Sequence, residues 1–182
     1  CLWFVLMIFI PVRHLAQEKK QLDSLLHELR ENVFDTVQMK INRSIGDYYM
    51  NNNNKKAIEY FERSKIISQK LGRSLVLDHN LYSIGYCYFS DGKYEKSLDH
   101  YLQSVKIYEM LKDNRRLANA FMAIINVFTA NKDVEKANEY FSKANQIILA
   151  RRDSFQLCTL LGQKAGLFYS QEMYDSSLIY LK

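Results

Sequence analysis

The sequence predicts an all-α protein assembled from repeated pairs of antiparallel helices, and three observations predict it. A single Pro and six Gly in 182 residues leave too few turn residues for a many-stranded sandwich or barrel. Apolar residues recur at intervals of three and four, the helical period. Residue classes also return at a shift of 40 positions: Ala57, Ser97, Ala137 and Ser177 form one column of small residues. Four places later stand Phe61, Tyr101, Phe141 and Leu181, and nine places before the small residue stand Tyr48, Tyr88, Phe128 and Phe168. Ile41, Leu81, Phe121 and Leu161 precede those, Ser64, Ser104 and Ala144 follow, and Ile67, Ile107 and Ile147 continue the series. Six columns in phase require a repeated structural unit.

The elements follow in order along the chain. Residues 1–16 open with the almost wholly apolar run Cys1 to Val12, the length of a signal-peptide hydrophobic region and too short for a spanning helix. They are expected to direct export, to the periplasm or cell envelope of a bacterium, with a buried apolar strand or helix as the alternative. Cys1 precedes the apolar segment, so it does not read as a lipidated cysteine. Residues 17–34 carry Leu22, Leu25, Leu26 and Leu29 on one helical stripe, expected to cap the open end of the array, or else to form a dimer seam. Asp35 and Thr36 are expected to cap the next helix.

Residues 35–182 then read as about four helix pairs, the last one truncated. In the second, Leu81, Ile84, Gly85 and Tyr88 share a face of a helix that ends at Ser90-Asp91-Gly92-Lys93, and a second helix follows from about Tyr94. Equivalent turns are expected at Asn51 to Asn54, Ala130 to Asp133 and Ser170 to Met173. Links between pairs fall near Gly72-Arg73-Ser74, Asp113-Asn114 and Asp153-Ser154, with Ser, Asp and Asn capping the helices that follow.

Ile84-Gly85, Tyr88, Gly92, Tyr94, Ser97, Tyr101 and Ser104, and again Phe121, Phe128, Ala137, Phe141 and Ala144, resemble the tetratricopeptide repeat (TPR) pattern over residues 35 to 182. The departures are a 40-residue period where about 34 is commonest, the absence of the family's helix-ending Pro, and a Gly46 one place out of register. The resemblance implies a TPR-like α-solenoid, a right-handed superhelix whose first helices line an extended concave face. It is similar in particular to the lengthened repeats of exported sensor regions in bacterial signalling regulators.

The charge and motif content exclude several functions. The net charge of +5 is modest and its basic pairs are scattered among acids, so no nucleic-acid surface is expected. The three Cys and four His show no metal-ligand spacing, and no nucleophile, phosphate-loop or zinc-protease motif appears, so neither a catalytic site, a metal nor a cofactor is expected. Cys87 and Cys158 fall on first helices with another pair between them, roughly 20 Å apart, and are expected to stay free.

The expected function is binding of a protein or extended peptide. The resemblance carries the concave-face positions to Asn42, Tyr82, Tyr86, Met122 and Asn126, flanked by Arg43, His79, Asn119 and Gln163, with Phe89 and Tyr169 one turn deeper. The amides suit a peptide backbone and the aromatics offer flat apolar area, although each aromatic also reads as packing between helices. The family's lysine-based carboxylate clamp has no counterpart at Asn42, Tyr82 or Met122. Two roles stay open: the sensor region of a histidine kinase or transcriptional regulator, with any membrane segment outside this chain, and a free-standing exported scaffold.

Overall fold

The computed structural model describes residues 19–31, 34–171 and 173–179. The expected signal-like segment 1–16 and the column member Leu181 lie outside the described residues. Every element among them is helical: α1 (19–31), α2 (Asp35–Tyr49), α3 (Asn54–Lys70), α4 (Ser74–Ser90), α5 (Tyr94–Leu111), α6 (Asn114–Ala130), α7 (Val134–Arg151), α8 (Ser154–Ser170) and α9 (Tyr174–Ile179). No described helix is long and apolar enough to cross a membrane. The residues divide into two compact units, one ending at Leu77 and the other beginning at Asp78.

In the first unit the leucine stripe of α1 is used internally. Leu22 is buried with Ile41 and Ile45 of α2, and Leu25, Leu26 and Leu29 pack against the same cluster. Asp35 does not cap α2: Phe34 holds the cap position without a side-chain bond, and Asp35 instead pairs with Lys70 of α3 at 2.7 Å. Helix α3 crosses α2 at Ala57 and Phe61, both fully buried, and Ser64 donates its hydroxyl to the Met39 carbonyl at 2.8 Å. Full burial of a side chain such as Phe61 stabilises by about 1.5–3 kcal/mol.

Gly46 is out of register for a structural reason. Helix α2 ends at Tyr49, so Met50 to Asn53 form the link, where Asp91 to Lys93 suffice in the next pair. Helix α2 stops three residues after Gly46, two sooner than α4 stops after Gly85, so even with its longer link the first pair is one residue shorter and Gly46 does the work of Gly85: a Cβ on Gly46 would lie 2.7 Å from the Phe61 ring, and one on Gly85 2.9 Å from the Tyr101 ring. The same shift makes Tyr49, not the expected Tyr48, the aromatic of this column. Tyr49 stacks on Tyr60 at 6.0 Å, Tyr88 on His100 at 5.5 Å and Phe128 on Tyr140 at 5.6 Å. Lys56, Lys96 and Lys136 sit over the first ring of each pair.

From α3 onward the helix ends show that the period is built from half-units of 20 residues. Helices end where Gly72, Gly92, Lys112, Lys132 and Arg152 take positive φ, one every 20 residues. After each, the next N–H reaches back to a carbonyl five residues earlier, as in Lys93 to Tyr88 at 2.9 Å and Asp133 to Phe128 at 2.9 Å, the Schellman closure. The following residue caps the next helix. Asn53, Asp113, Asp133 and Asp153 each accept the N–H three residues on, whereas Lys93, in the same column, makes no side-chain cap.

Ser97, Ala137 and Ser177 are buried at the helix crossings as their column predicts. Ser177 donates to the Ala165 carbonyl at 2.9 Å. Gly85 provides a notch for Tyr101, which is 2% exposed. In the third pair Ile125 fills that column, and Phe141 is only partly buried, with the Lys164 ammonium 4.7 Å above its ring.

Candidate binding cavity

Helices α4, α6 and α8 are the first members of successive pairs, and α6 packs against α8. Between them lies a cavity of about 230 Å³ lined by Tyr82, Tyr86 and Phe89 of α4, Tyr101 of α5, Asn119, Met122, Ala123 and Asn126 of α6, and Thr159 and Gln163 of α8. Its walls carry four aromatic rings and three amides, and no carboxylate or ammonium group.

The local sequence explains the arrangement. Tyr82, Tyr86 and Phe89 follow one another at four and three residues and so occupy one helical stripe, as do Asn119, Met122 and Asn126. The Tyr82 ring tilts against Tyr101 with centroids 5.1 Å apart, and Phe89 rests on Tyr94 at 5.9 Å. Burial pushes the Tyr82 phenol above its ordinary value, with the charges of Asp78 and Tyr86 adding to the effect. Burial raises Tyr101 still further, so both phenols keep their protons at neutral pH.

The amides are organised by two matching bridges from α8. Gln156 donates its amide to the Arg115 carbonyl at 3.2 Å and to Asn119 Oδ1 at 2.6 Å. Seven residues on, Gln163 repeats the pattern toward the Met122 carbonyl at 3.2 Å and Asn126 Oδ1 at 3.1 Å. Asn126 remains exposed while Met122 is buried.

The structure thus brings seven of the expected site residues to one cavity: Tyr82, Tyr86, Phe89, Asn119, Met122, Asn126 and Gln163. The other four stand elsewhere. Asn42 is 4% exposed, bonds the Gln38 carbonyl of its own helix at 2.8 Å and borders a separate cavity in the first unit. With the one-residue shift, Arg43 and not Asn42 is the counterpart of Tyr82. His79 neighbours Asp78 without lining the cavity, and Tyr169 is 65% exposed beyond it. The sequence reading missed Tyr101, Ala123 and Thr159. Tyr101 already had a packing role in its column, and nothing marked the other two as cavity walls.

It also missed Asp78, 2% exposed on α4 in a column whose other members, Met39, Ala118 and Cys158, carry no charge. Burial raises its carboxyl to about 6, although the Tyr108 hydroxyl donates to it and Arg116 and His79 favour its charged form. Its Oδ1 has no hydrogen-bond partner. Cys87 and Cys158 are both free, the first buried with its thiol pushed up to about 12 and the second exposed. Among the described residues no group of three or more His, Cys, Asp or Glu is arranged to hold a metal ion.

Successive helix pairs, a small residue at each crossing and a cavity between successive first helices define a helical-repeat scaffold. Residues 38–110 match the family model of the tetratricopeptide repeat, and the fold is that of TPR-like repeat proteins. Aspartyl phosphate phosphatase F from Bacillus subtilis superposes with a TM-score of 0.76 at 14% identity, over 92% of this chain and 54% of that one. A Rap protein complexed with Competence and Sporulation Factor gives 0.70 at 13% identity, over 92% and 57%. A signal transduction ATPase with a tetratricopeptide repeat sensor from Pyrococcus horikoshii gives 0.73 at 18%, over 90% and 26%. The chain therefore spans about half the length of the first two and about a quarter of the third. At these identities the likeness is one of fold. No curated protein matches the sequence.

Proposed function

We propose that this chain is a peptide-binding module whose site is the Tyr82–Gln163 cavity. The observation that carries the reading is the convergence there of three aromatic rings and three ordered amides from successive first helices, joined by Tyr101 of α5. Rigid aromatic area binds with little side-chain entropy to lose, and amides satisfy a peptide backbone. A Rap protein of the same fold has been solved with Competence and Sporulation Factor, which supports the reading. The test is selection of decapeptides from a random display library on the wild-type chain, followed by binding to the Tyr82→Ala/Asn126→Ala double variant. Selected peptides should bind the double variant at least tenfold more weakly. Equal binding would move the site to another face.

The module is proposed to serve as the exported sensory part of a larger signalling protein. An ATPase of this fold that carries a TPR sensor supports that role. The coding sequence beyond Lys182 tests it: a spanning segment followed by a kinase or DNA-binding region fits the sensor, and a stop after further repeats fits the scaffold. Fusion of residues 1–16 to a reporter enzyme active only outside the cytoplasm tests the export.

A further inference from the structure

The two glutamine bridges decide which atoms of the cavity face a ligand. A backbone carbonyl is only ever an acceptor, so the bonds to the Arg115 and Met122 carbonyls fix the amide nitrogens of Gln156 and Gln163 as the atoms turned toward α6. Each of those nitrogens spends its second hydrogen on an asparagine, Asn119 or Asn126, whose Oδ1 must therefore turn toward α8. That orientation leaves the two asparagine Nδ2 groups, with their N–H bonds, on the side away from the bridge. The other amide acceptors are out of reach: Gln163 Oε1 is shielded from solvent, and Gln156 Oε1 accepts from Arg151 at 3.4 Å. Thr159 donates its hydroxyl to the Phe155 carbonyl at 3.1 Å, which leaves its oxygen as an acceptor at the edge of the α8 wall, apart from the two asparagine donors of α6. Tyr82, kept protonated by its surroundings, adds a phenol that can donate.

Resting on the peptide-binding reading above, we infer that the cavity takes an uncharged, proline-rich segment in polyproline II conformation, reading its carbonyl oxygens and making no use of its N–H groups. The paired Asn119 and Asn126 donors match a strand whose carbonyls face them, and proline has no N–H to leave unsatisfied. Aromatic rings set beside donors are the chemistry by which such segments dock, with little conformational entropy to lose. Asn119 and Asn126 lie two helical turns apart, about 10.5 Å. A polyproline II chain returns to the same face after three residues, about 9.3 Å, so one triplet spans the two donors with an apolar side chain or ring between them over Met122. The absence of charged groups from the lining disfavours acidic tails and free carboxylates.

The experiment uses the full chain and fluorescein-labelled, terminally blocked nonapeptides read by anisotropy. One peptide is three Pro-Leu-Pro triplets, the second replaces every Pro with Ala, and the third is an acidic peptide of equal length. The wild type should bind the proline peptide at least tenfold more tightly than the other two. Asn126→Asp should weaken that binding at least tenfold, because it replaces a donor with a carboxylate facing a carbonyl. Gln163→Ala frees the Asn126 amide to turn over and accept an N–H, so the preference for Pro over Ala should narrow. Tyr82→Ala should weaken both peptides alike, which a merely structural role for Gln163 would also do. The inference is overturned if the alanine or acidic peptide binds as well as the proline peptide, or if Gln163→Ala leaves the preference intact. Library-selected peptides that depend on Tyr82 and Asn126 but show no proline bias would overturn this inference alone, whereas selected peptides indifferent to both residues would overturn the parent reading with it.

Discussion

Four glycines lie inside helices, and the structure assigns their replacement by alanine opposite signs. In a helix interior Ala is favoured over Gly by about 1 kcal/mol. At Gly162 and Gly166 of α8 a Cβ would meet nothing within 4 Å, so each substitution should deliver that gain. At Gly85 the Cβ would lie 2.9 Å from two atoms of the Tyr101 ring and 3.3 Å from the Ser97 carbonyl, and at Gly46 it would lie 2.7 Å from the Phe61 ring. Both rings are buried at helix crossings and cannot swing away, so overpacking should cost about 1–3 kcal/mol. After subtracting the propensity gain, the net loss is up to about 2 kcal/mol. The two classes should thus differ by about 1–3 kcal/mol in urea unfolding, or roughly 2–12 °C in melting temperature at this chain length. Gly85→Ala or Gly46→Ala unfolding at the same urea concentration as Gly162→Ala would refute the notch and, with it, the one-residue shift that makes Gly46 and Gly85 equivalent.

Other consequences are open to the same measurements. Lys112, Lys132 and Arg152 hold positive φ, which disfavours L side chains by about 1–2 kcal/mol, so changing each to Gly should stabilise by about 0.5–1 kcal/mol, and a destabilised triple variant would contradict the Schellman closures. Ala137→Leu at a fully buried crossing should cost about 1–3 kcal/mol, and unchanged urea unfolding would count against the repeat register. Asp78, raised from 3.8 to about 6, binds its proton more tightly in the folded state, so its contribution to stability is fully present below pH 4, falls between about pH 4 and 6 and levels off above. Asp78→Asn should therefore unfold at higher urea than wild type at pH 7.5, by about 1–3 kcal/mol, with the difference shrinking toward pH 4; a constant difference across that range would assign the effect to packing instead.

The helix pairs were legible because their chemistry is periodic: a small residue at 57, 97, 137 and 177 can only mean a recurring close approach. What the period hid was anything that breaks it. A fixed shift of 40 cannot register that Gly46 to Ala57 spans one residue fewer than Gly85 to Ser97, so Asn42 was placed where Arg43 belongs and Tyr48 where Tyr49 stands. Helix ends at Gly72 and Gly92 announce themselves, but Lys112, Lys132 and Arg152 adopt the same left-handed conformation without a residue type that signals it. The face of α4 that meets the cavity was readable from Tyr82, Tyr86 and Phe89, since two adjacent tyrosines on one stripe exceed what packing needs. The bridges from Gln156 and Gln163 were not readable, because they join residues 37 and 41 positions apart in sequence through atoms that no pattern of residue types specifies. Asp78 escaped for a related reason: a lone acid looks like a surface residue until its partner Tyr108 and its burial are known.

The most direct test of the central claim is the side-chain amide region of the nitrogen–proton spectrum during titration with a library-selected peptide. The account predicts that the Asn119 and Asn126 amide signals shift with saturation and at a common affinity. The Asn42 amide, buried in the other unit against the Gln38 carbonyl, should stay unmoved. Shifts confined to Asn42, or a peptide that binds without moving Asn119 and Asn126, would contradict the assignment of the binding site to this cavity.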